Sequence, residues 1–261
     1  MYRNPGRRKC ASRKEGCQTD RGLSEVLSYA FIFSMLVVSI GIVTVGGVGA
    51  LQDVRTNEHV SNAERAFDVL HDNLADVHSE GAPSRATEIA LGNGQLYLDD
   101  NVTMTFKNDS GSIKQKIRPV VFRVAEDQRM VYAAGATLRT SRDGGVVVND
   151  PPFLISKDNV HVPIVQTTSP AVTGVGSGTV LVRGQSSNRS VAIDQAGGGD
   201  FESLLIETPR AEIWEQYFAQ QPFCESSSVT GSEAKCVIED DYDDPDRLYV
   251  TVQRIDLTLI K

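Results

Sequence analysis

Four cysteines and four histidines are the residues in this 261-residue chain best suited to chemistry, and their spacing decides what each could do. Cys10 and Cys17 have six residues between them, wider than common zinc knuckles, and read as incidental residues of an N-terminal tail. Cys224 and Cys236 flank ESSSVTGSEAK, a Ser/Gly/Glu-rich stretch with little apolar content to shape it. A disulfide between them would tie that loop, closing about 15 residues for roughly 3 kcal/mol in the chain-entropy model. His71 and His78 stand seven apart on a helical pattern, too far for a shared metal, and read as solvent-facing. The acidic run EDDYDDPD, Glu239 to Asp246, offers Asp241, Asp243 and Asp246 to a divalent cation, but such runs are common on hydrated surfaces and no metal site is assigned. There is no G-x-S-x-G elbow, P-loop, H-E-x-x-H or EF-hand loop, and the glycines of GVGSG, Gly174 to Gly178, do not open a helix. The expectation is a protein without catalytic residues or cofactor. Asn101, Asn108 and Asn188 each fit the N-x-S/T glycan-acceptor pattern.

The elements that would position these residues are set by an uneven charge distribution. Before Gly22 lie seven basic residues against Glu15 and Asp20, whereas from Gln52 onward 19 basic residues face 31 acidic ones. Between them Val26 to Leu51 runs for 26 residues without a charge. About 20 such residues span a bilayer, so this stretch predicts a transmembrane helix. The basic tail then stays cytoplasmic and the acidic body lies outside. The stretch exceeds the 7 to 15 apolar residues of an ordinary signal peptide, although Val48-Gly49-Ala50 could pass as a cleavage site. The acid excess argues against nucleic acid and anionic lipid as partners of the body, and concentrated salt would screen its self-repulsion.

Arg21-Gly22 stands before the apolar run and Glu25 just inside it. With this pattern the chain resembles the type IV pilin and archaellin superfamily, whose precursors carry a short basic leader ending in Lys/Arg-Gly. RGLSEVLSYAFIFSMLV, GALQD, NAERAFDVL and GAPSRATEI are similar to pilin-like surface proteins of halophilic archaea, from Arg21 to about Leu91. The resemblance implies a leader over 1–22, cut by a prepilin peptidase on the cytoplasmic side, with Leu23 as the mature N-terminus. It further implies self-association or association with other pilin-like subunits, and a head exposed for adhesion. Many pilins place a glutamate at the fifth mature position; here that position is Leu27 and the acid is Glu25, the third. The alternative is a stand-alone single-pass surface protein or binding module that does not polymerise. A bond between Cys224 and Cys236 would also be similar to the disulfide-bounded C-terminal loop of many pilins.

After the apolar run, Val60, Ala63, Phe67, Leu70, Leu74 and Val77 recur at spacings of 3 and 4, the stripe of an amphipathic helix. No proline interrupts Leu23 to Glu80, which predicts one helix over 23–80 with the membrane segment at 26–51. The stripe could form a seam with other copies or pack on the chain's own head; the pattern allows both. Gly81 and Pro83 end the helix. Beyond it, period-two runs predict strands at 87–91, 95–98, 102–106, 113–117, 120–124, 130–134, 146–148, 160–165, 179–183, 190–193, 203–207 and 248–260. Thr208 and Pro209 predict one helix start, with Ile213, Trp214, Tyr217 and Phe218 on its apolar face. The fold class expected is α+β, a long N-terminal helix followed by a mainly β, sandwich-like extracellular head over 81–261.

Overall fold

The computed structural model describes residues 19–99, 102–170, 174–197 and 200–261, with backbone alone at 19–24, 48–53, 55 and 56. The chain separates into two compact units, Met1–Arg55 and Thr56–Lys261. Helix α1 (Thr19–His78) belongs to both. Its stretch from Glu25 to Gly47 is long and apolar enough to cross a membrane, and none of it is buried within the protein. Its last five turns are a different object. Ala63, Phe67, Leu70, Leu74 and Val77 are each at most 3% exposed, because the 3-4 spacing brings them to one face and that face is covered by strands.

The strands follow in chain order as β1 (Ser84–Gly92), β2 (Gln95–Leu98), β3 (Val102–Asn108), β4 (Gly111–Ile117), β5 (Val120–Arg123), β6 (Arg129–Ala133), β7 (Ala136–Ser141) and β8 (Gly144–Asn149). Then come β9 (Leu154–Ile155), β10 (Asn159–Thr168), β11 (Gly174–Val175), β12 (Gly178–Ala196) and β13 (Ser203–Glu207). Helix α2 (Ala211–Phe218) precedes β14 (Cys224–Thr230), β15 (Glu233–Ile238) and β16 (Arg247–Ile260). They form three sheets, ordered β1-β12-β16-β10-β9, β11-β2-β5-β6-β7-β8 and β14-β15-β13-β3-β4. All pairings are antiparallel except β10 with β16. The described head is therefore mainly β, with three sheets where a plain sandwich has two.

Alternation along the strands fills two cores. The larger one gathers Phe106, Phe201, Trp214 and Phe218 with the inner faces of all three sheets. The second packs the α1 stripe on Ile89, Val182, Ile255 and Leu257 of the first sheet and on Phe122, Met130 and Tyr132 of the second. Gly184 permits this close approach: a Cβ there would stand 2.4 Å from Leu74 Cδ2 and 3.2 Å from Ile255 Cγ2. The helix stops where Gly81 turns to φ +78° and the Ala82 N–H donates to the Asp76 carbonyl at 2.9 Å. Arg189 Nη2 donates to the His78 carbonyl at 2.7 Å, placing a cation at the negative end of the helix.

Several elements differ from the sequence expectation. The runs at 179–183 and 190–193 are one strand, β12, since the polar residues between them continue the ladder with β16 through two irregularities. Strands β7, β9, β11, β14 and β15 lie outside the sequence expectation: β9 and β11 have two residues each, too few to alternate, and the small or polar residues of β7, β14 and β15 weaken their alternation. Between β6 and β7 a two-residue turn forms at Ala134 (φ +53°) and Gly135 (φ +82°), a shape usually signalled by Asn-Gly. Helix α2 begins at Ala211 rather than at Pro209; Thr208 Oγ1 accepts a 3.4 Å bond from the Arg210 N–H in the turn before it.

If the stripe holds α1 to the head, Phe67→Ala removes a fully buried ring and should lower stability by about 3–5 kcal/mol. Urea unfolding followed through Trp214 fluorescence measures it; a loss below about 0.5 kcal/mol would mean that α1 is not seated there.

Candidate functional site

The exposed half of α1 is the feature with the clearest physical demand. Tyr29, Phe31, Ile32, Phe33, Met35 and Ile40 are all more than 60% exposed, on every side of the helix. The polar groups within this stretch are satisfied by the helix itself: Ser34 Oγ donates to the Ala30 carbonyl and Ser39 Oγ to the Met35 carbonyl, each at 2.7 Å. Such back-bonding lets hydroxyls sit in an apolar surrounding. Glu25, the one acid of the stretch, stands at its N-terminal end with its side chain exposed. Arg21, Gly22 and Leu23 lie inside α1, and their side chains fall outside the described residues, as does all of 1–18.

In the second unit, Val60 is half-buried and the remainder of the stripe is covered by the chain's own head. The opposite face carries Glu58, Ser61, Asn62, Arg65 and Asp72, all exposed, with Val69 as the exposed large apolar residue there. His71 and His78, expected to face solvent, turn inward instead. Seven residues is nearly two helical turns, so both share the stripe's side of the helix. His78 is only 5% exposed and its Nδ1 lies 2.8 Å from Ser79 Oγ. Burial lowers its pKa to about 4, helped by the charges of His71 and Arg189. Burial also lowers that of His71, against the opposing influence of Asp72 and Asp68.

On the head, Cys224 and Cys236 are joined by a disulfide, with Cα atoms 5.6 Å apart. The segment between them is not a loose loop, however: it is the β14–β15 hairpin, and β15 lies between β14 and β13. Ala234, Cys236 and Ile238 alternate into the core, a period-two pattern hidden in the sequence by small residues. Asn108 ends β3 at a tight turn and is half-buried, Asn188 is exposed on β12, and Asn101 lies outside the described residues.

Within the acidic run, Asp241 pairs with Lys157, whose ammonium also lies over the Tyr242 ring. Among the described residues no group of three or more His, Cys, Asp or Glu is placed to hold a metal ion. Asp200 lies beside Asp109, and this neighbour raises its pKa, together with the charges of Asp244 and Asp243.

A groove of about 710 Å³ opens at the rim of the first sheet, lined by Leu154, Ile155, Ser156, Asn159, Val160, His161, Arg247 and Tyr249. Its floor is the His161 and Tyr249 ring pair, 5.1 Å apart, with the Arg247 guanidinium 5.7 Å from the Tyr249 centroid. This volume suits a small ligand. Sequence reasoning missed the groove because neighbouring parallel strands β10 and β16 bring together His161 and Tyr249, residues 88 apart with no shared motif.

The two histidines make the helix seat acid-sensitive. Their folded pKa values lie below the ordinary 6.5, so the unfolded chain takes up protons first as pH falls. Stability is fully present above pH 6.5 and declines toward about pH 4, by up to roughly 3 kcal/mol for His78. Urea midpoints between pH 7.5 and 4.5 should fall more steeply for the native chain than for His71→Gln/His78→Gln. Equal slopes would show that these side chains do not couple acid to unfolding.

No curated protein and no solved structure matches the chain. A family model matches it over residues 21–258, from the Arg21-Gly22 pair through nearly all of β16. The chain belongs to that family, DUF7289, described as a family of unknown function.

Proposed function

We propose that this protein is a pilin-like cell-surface protein whose basic leader is removed after Gly22 and whose N-terminal helix anchors it in the membrane and joins it to a type IV pilus-like filament. The observation that carries this reading is α1 itself, one helix with an uncovered apolar stretch at Glu25–Gly47 and a later stripe embedded in a β-rich head. The apolar stretch needs lipid or neighbouring apolar helices around it. The basic tail favours a cytoplasmic N-terminus, so the head faces outward as the surface for adhesion. The Cys224–Cys236 disulfide supports an oxidising compartment for the head, and Asn108 and Asn188 would be open to glycan transfer there. A prepilin peptidase is the implied processing partner, followed by further copies or other pilin-like subunits.

A second reading, a stand-alone anchored binding module, draws on two other observations. The stripe that could have formed an intermolecular seam is covered by the chain's own head, and the groove floored by His161 and Tyr249 gives the head a ligand-sized concavity.

The N-terminus of the protein recovered from cells separates these outcomes. Processing after Gly22 gives a chain that begins at Leu23 and keeps the whole apolar helix, and Gly22→Val should leave a longer precursor in the membrane. Sequencing that begins after Ala50 would overturn the pilin reading, because the helix needed for assembly would have been discarded. An uncut N-terminus favours the simple anchor, and imaging of sheared surface filaments for this subunit then decides whether it polymerises.

A further inference from the structure

Five polar atoms, all buried and without a hydrogen-bond partner in the protein, lie along the seam between α1 and the second sheet: Asp68 Oδ1, His71 Nδ1, Tyr132 Oη, Thr137 Oγ1 and Asn149 Oδ1. Tyr132 and Thr137 are fully buried. Two contacts fix where the helix crosses the strands. Arg139 Nη1 on β7 donates to Glu64 Oε2 at 3.2 Å, and the His71 ring meets the Tyr132 ring edge-on at 6.1 Å. Asp68 lies one turn after Glu64 and one turn before His71, so it sits between these two anchors. On the sheet, Tyr132, Thr137 and Asn149 are direct cross-strand partners over β6, β7 and β8, which puts their side chains in one row on the face toward α1.

The chemistry of the set is complementary to water. Tyr132 and Thr137 each supply a hydroxyl hydrogen, Asp68 and Asn149 each supply an acceptor oxygen, and His71 Nδ1 takes either role by tautomer. A dry seam would leave every one of these groups desolvated and unpaired, the costliest state for a buried polar atom. A buried water typically takes two to four polar partners, the number this row provides. We propose that a small closed cluster of bound water occupies the seam, held by Asp68, His71, Tyr132, Thr137 and Asn149, and that it fixes the register of α1 on the head. The apolar stripe already selects a register, because a slide of four residues would bring Ala63 and Ala66, or His71 and His78, into the places of Phe67, Leu70 and Leu74, and the cluster adds a polar term to that selection. A slide by one turn would break the water-mediated bonds.

The test uses the full chain in detergent micelles, with urea midpoints read from Trp214 fluorescence. Tyr132→Phe and Thr137→Val each remove one hydroxyl and preserve shape. Each should lower the midpoint by roughly 0.3–1 M urea. The double variant should lose less than the sum, because the first loss already disrupts the shared cluster. A single variant with an unchanged or higher midpoint would mean a dry, orphaned hydroxyl and overturn the proposal; strict additivity would overturn the sharing. Replacing NaCl by choline chloride at equal concentration tests for a cation instead. A midpoint drop in the native chain that is absent in Asp68→Asn would place a metal cation in the seam and overturn the water assignment, whereas no difference between the two chains supports it.

Discussion

The constraint on which the rest depends is that helix α1 carries two different kinds of surface. From Glu25 to Gly47 α1 is apolar all round and finds no protein cover, while from Ala63 to Val77 it is apolar on one stripe and that stripe is sealed by sheet. Helical backbone tolerates both, since its hydrogen bonds close within the segment whatever surrounds it. The side chains do not. An exposed run containing Phe31, Ile32, Phe33 and Met35 would aggregate in water, and the Glu58, Arg65 and Asp72 face would be misplaced in lipid. In the membrane-anchored reading proposed above, the change of solvent falls between Gly47 and Glu58. Gly184 has its consequence here, because the close seat of Leu74 on the first sheet anchors the water-facing half to a folded body.

The head combines an acidic surface with apolar cores. Its acidic residues are only partly paired: Asp241 with Lys157, Asp194 with Arg247 and Asp76 with Arg85 are surface pairs of small individual worth. Asp200 instead faces another acid, Asp109, whose proximity raises its pKa. Stability comes from the two apolar cores and from the disulfide. That bond joins β14, which lies at the edge of its sheet, to β15 inside it. It thus pins an edge strand whose own residues, Glu225 to Ser228, bring little apolar surface.

Legibility from sequence followed the strength of each physical signal. The apolar run and the 3-4 stripe are long and strongly periodic, so α1 and its apolar face could be read directly, though not what covers that face, and β2 and β13 match their expected bounds because each is framed by turn residues. The hairpin β14–β15 was read as loop since serine and glycine mask its alternation, and β7 since its turn uses Ala134 where Asn or Gly is usual. The histidines show a different limit. Spacing alone reads His71 and His78 as solvent-facing, and only the strands folded against that side of the helix turn them inward. The His161–Tyr249 groove depends on a parallel pairing between strands far apart in the chain, which no local pattern records.

These facts also bear on where copies of the chain could meet. With Phe67, Leu70 and Leu74 in the head's own core, the water-facing half of α1 presents charge and amide outward, and like faces of that kind gain little by pairing. In the proposed assembly, lateral contact must come from the apolar half, where bulky side chains are free on all sides, and from head surfaces. Packing between apolar helices in a membrane has no hydrophobic drive and depends on shape, so it is weak unless many copies are held together. Glu25 adds a directional element at the end of this half. A carboxylate at the edge of an apolar surrounding is stabilised by a nearby positive group, and a free amine at Leu23, two residues away, is created only if the leader is cut. The resemblance to pilins implies such a pairing between the acid of one helix and the N-terminus of its neighbour, with the departure that Glu25 stands third rather than fifth after the cut.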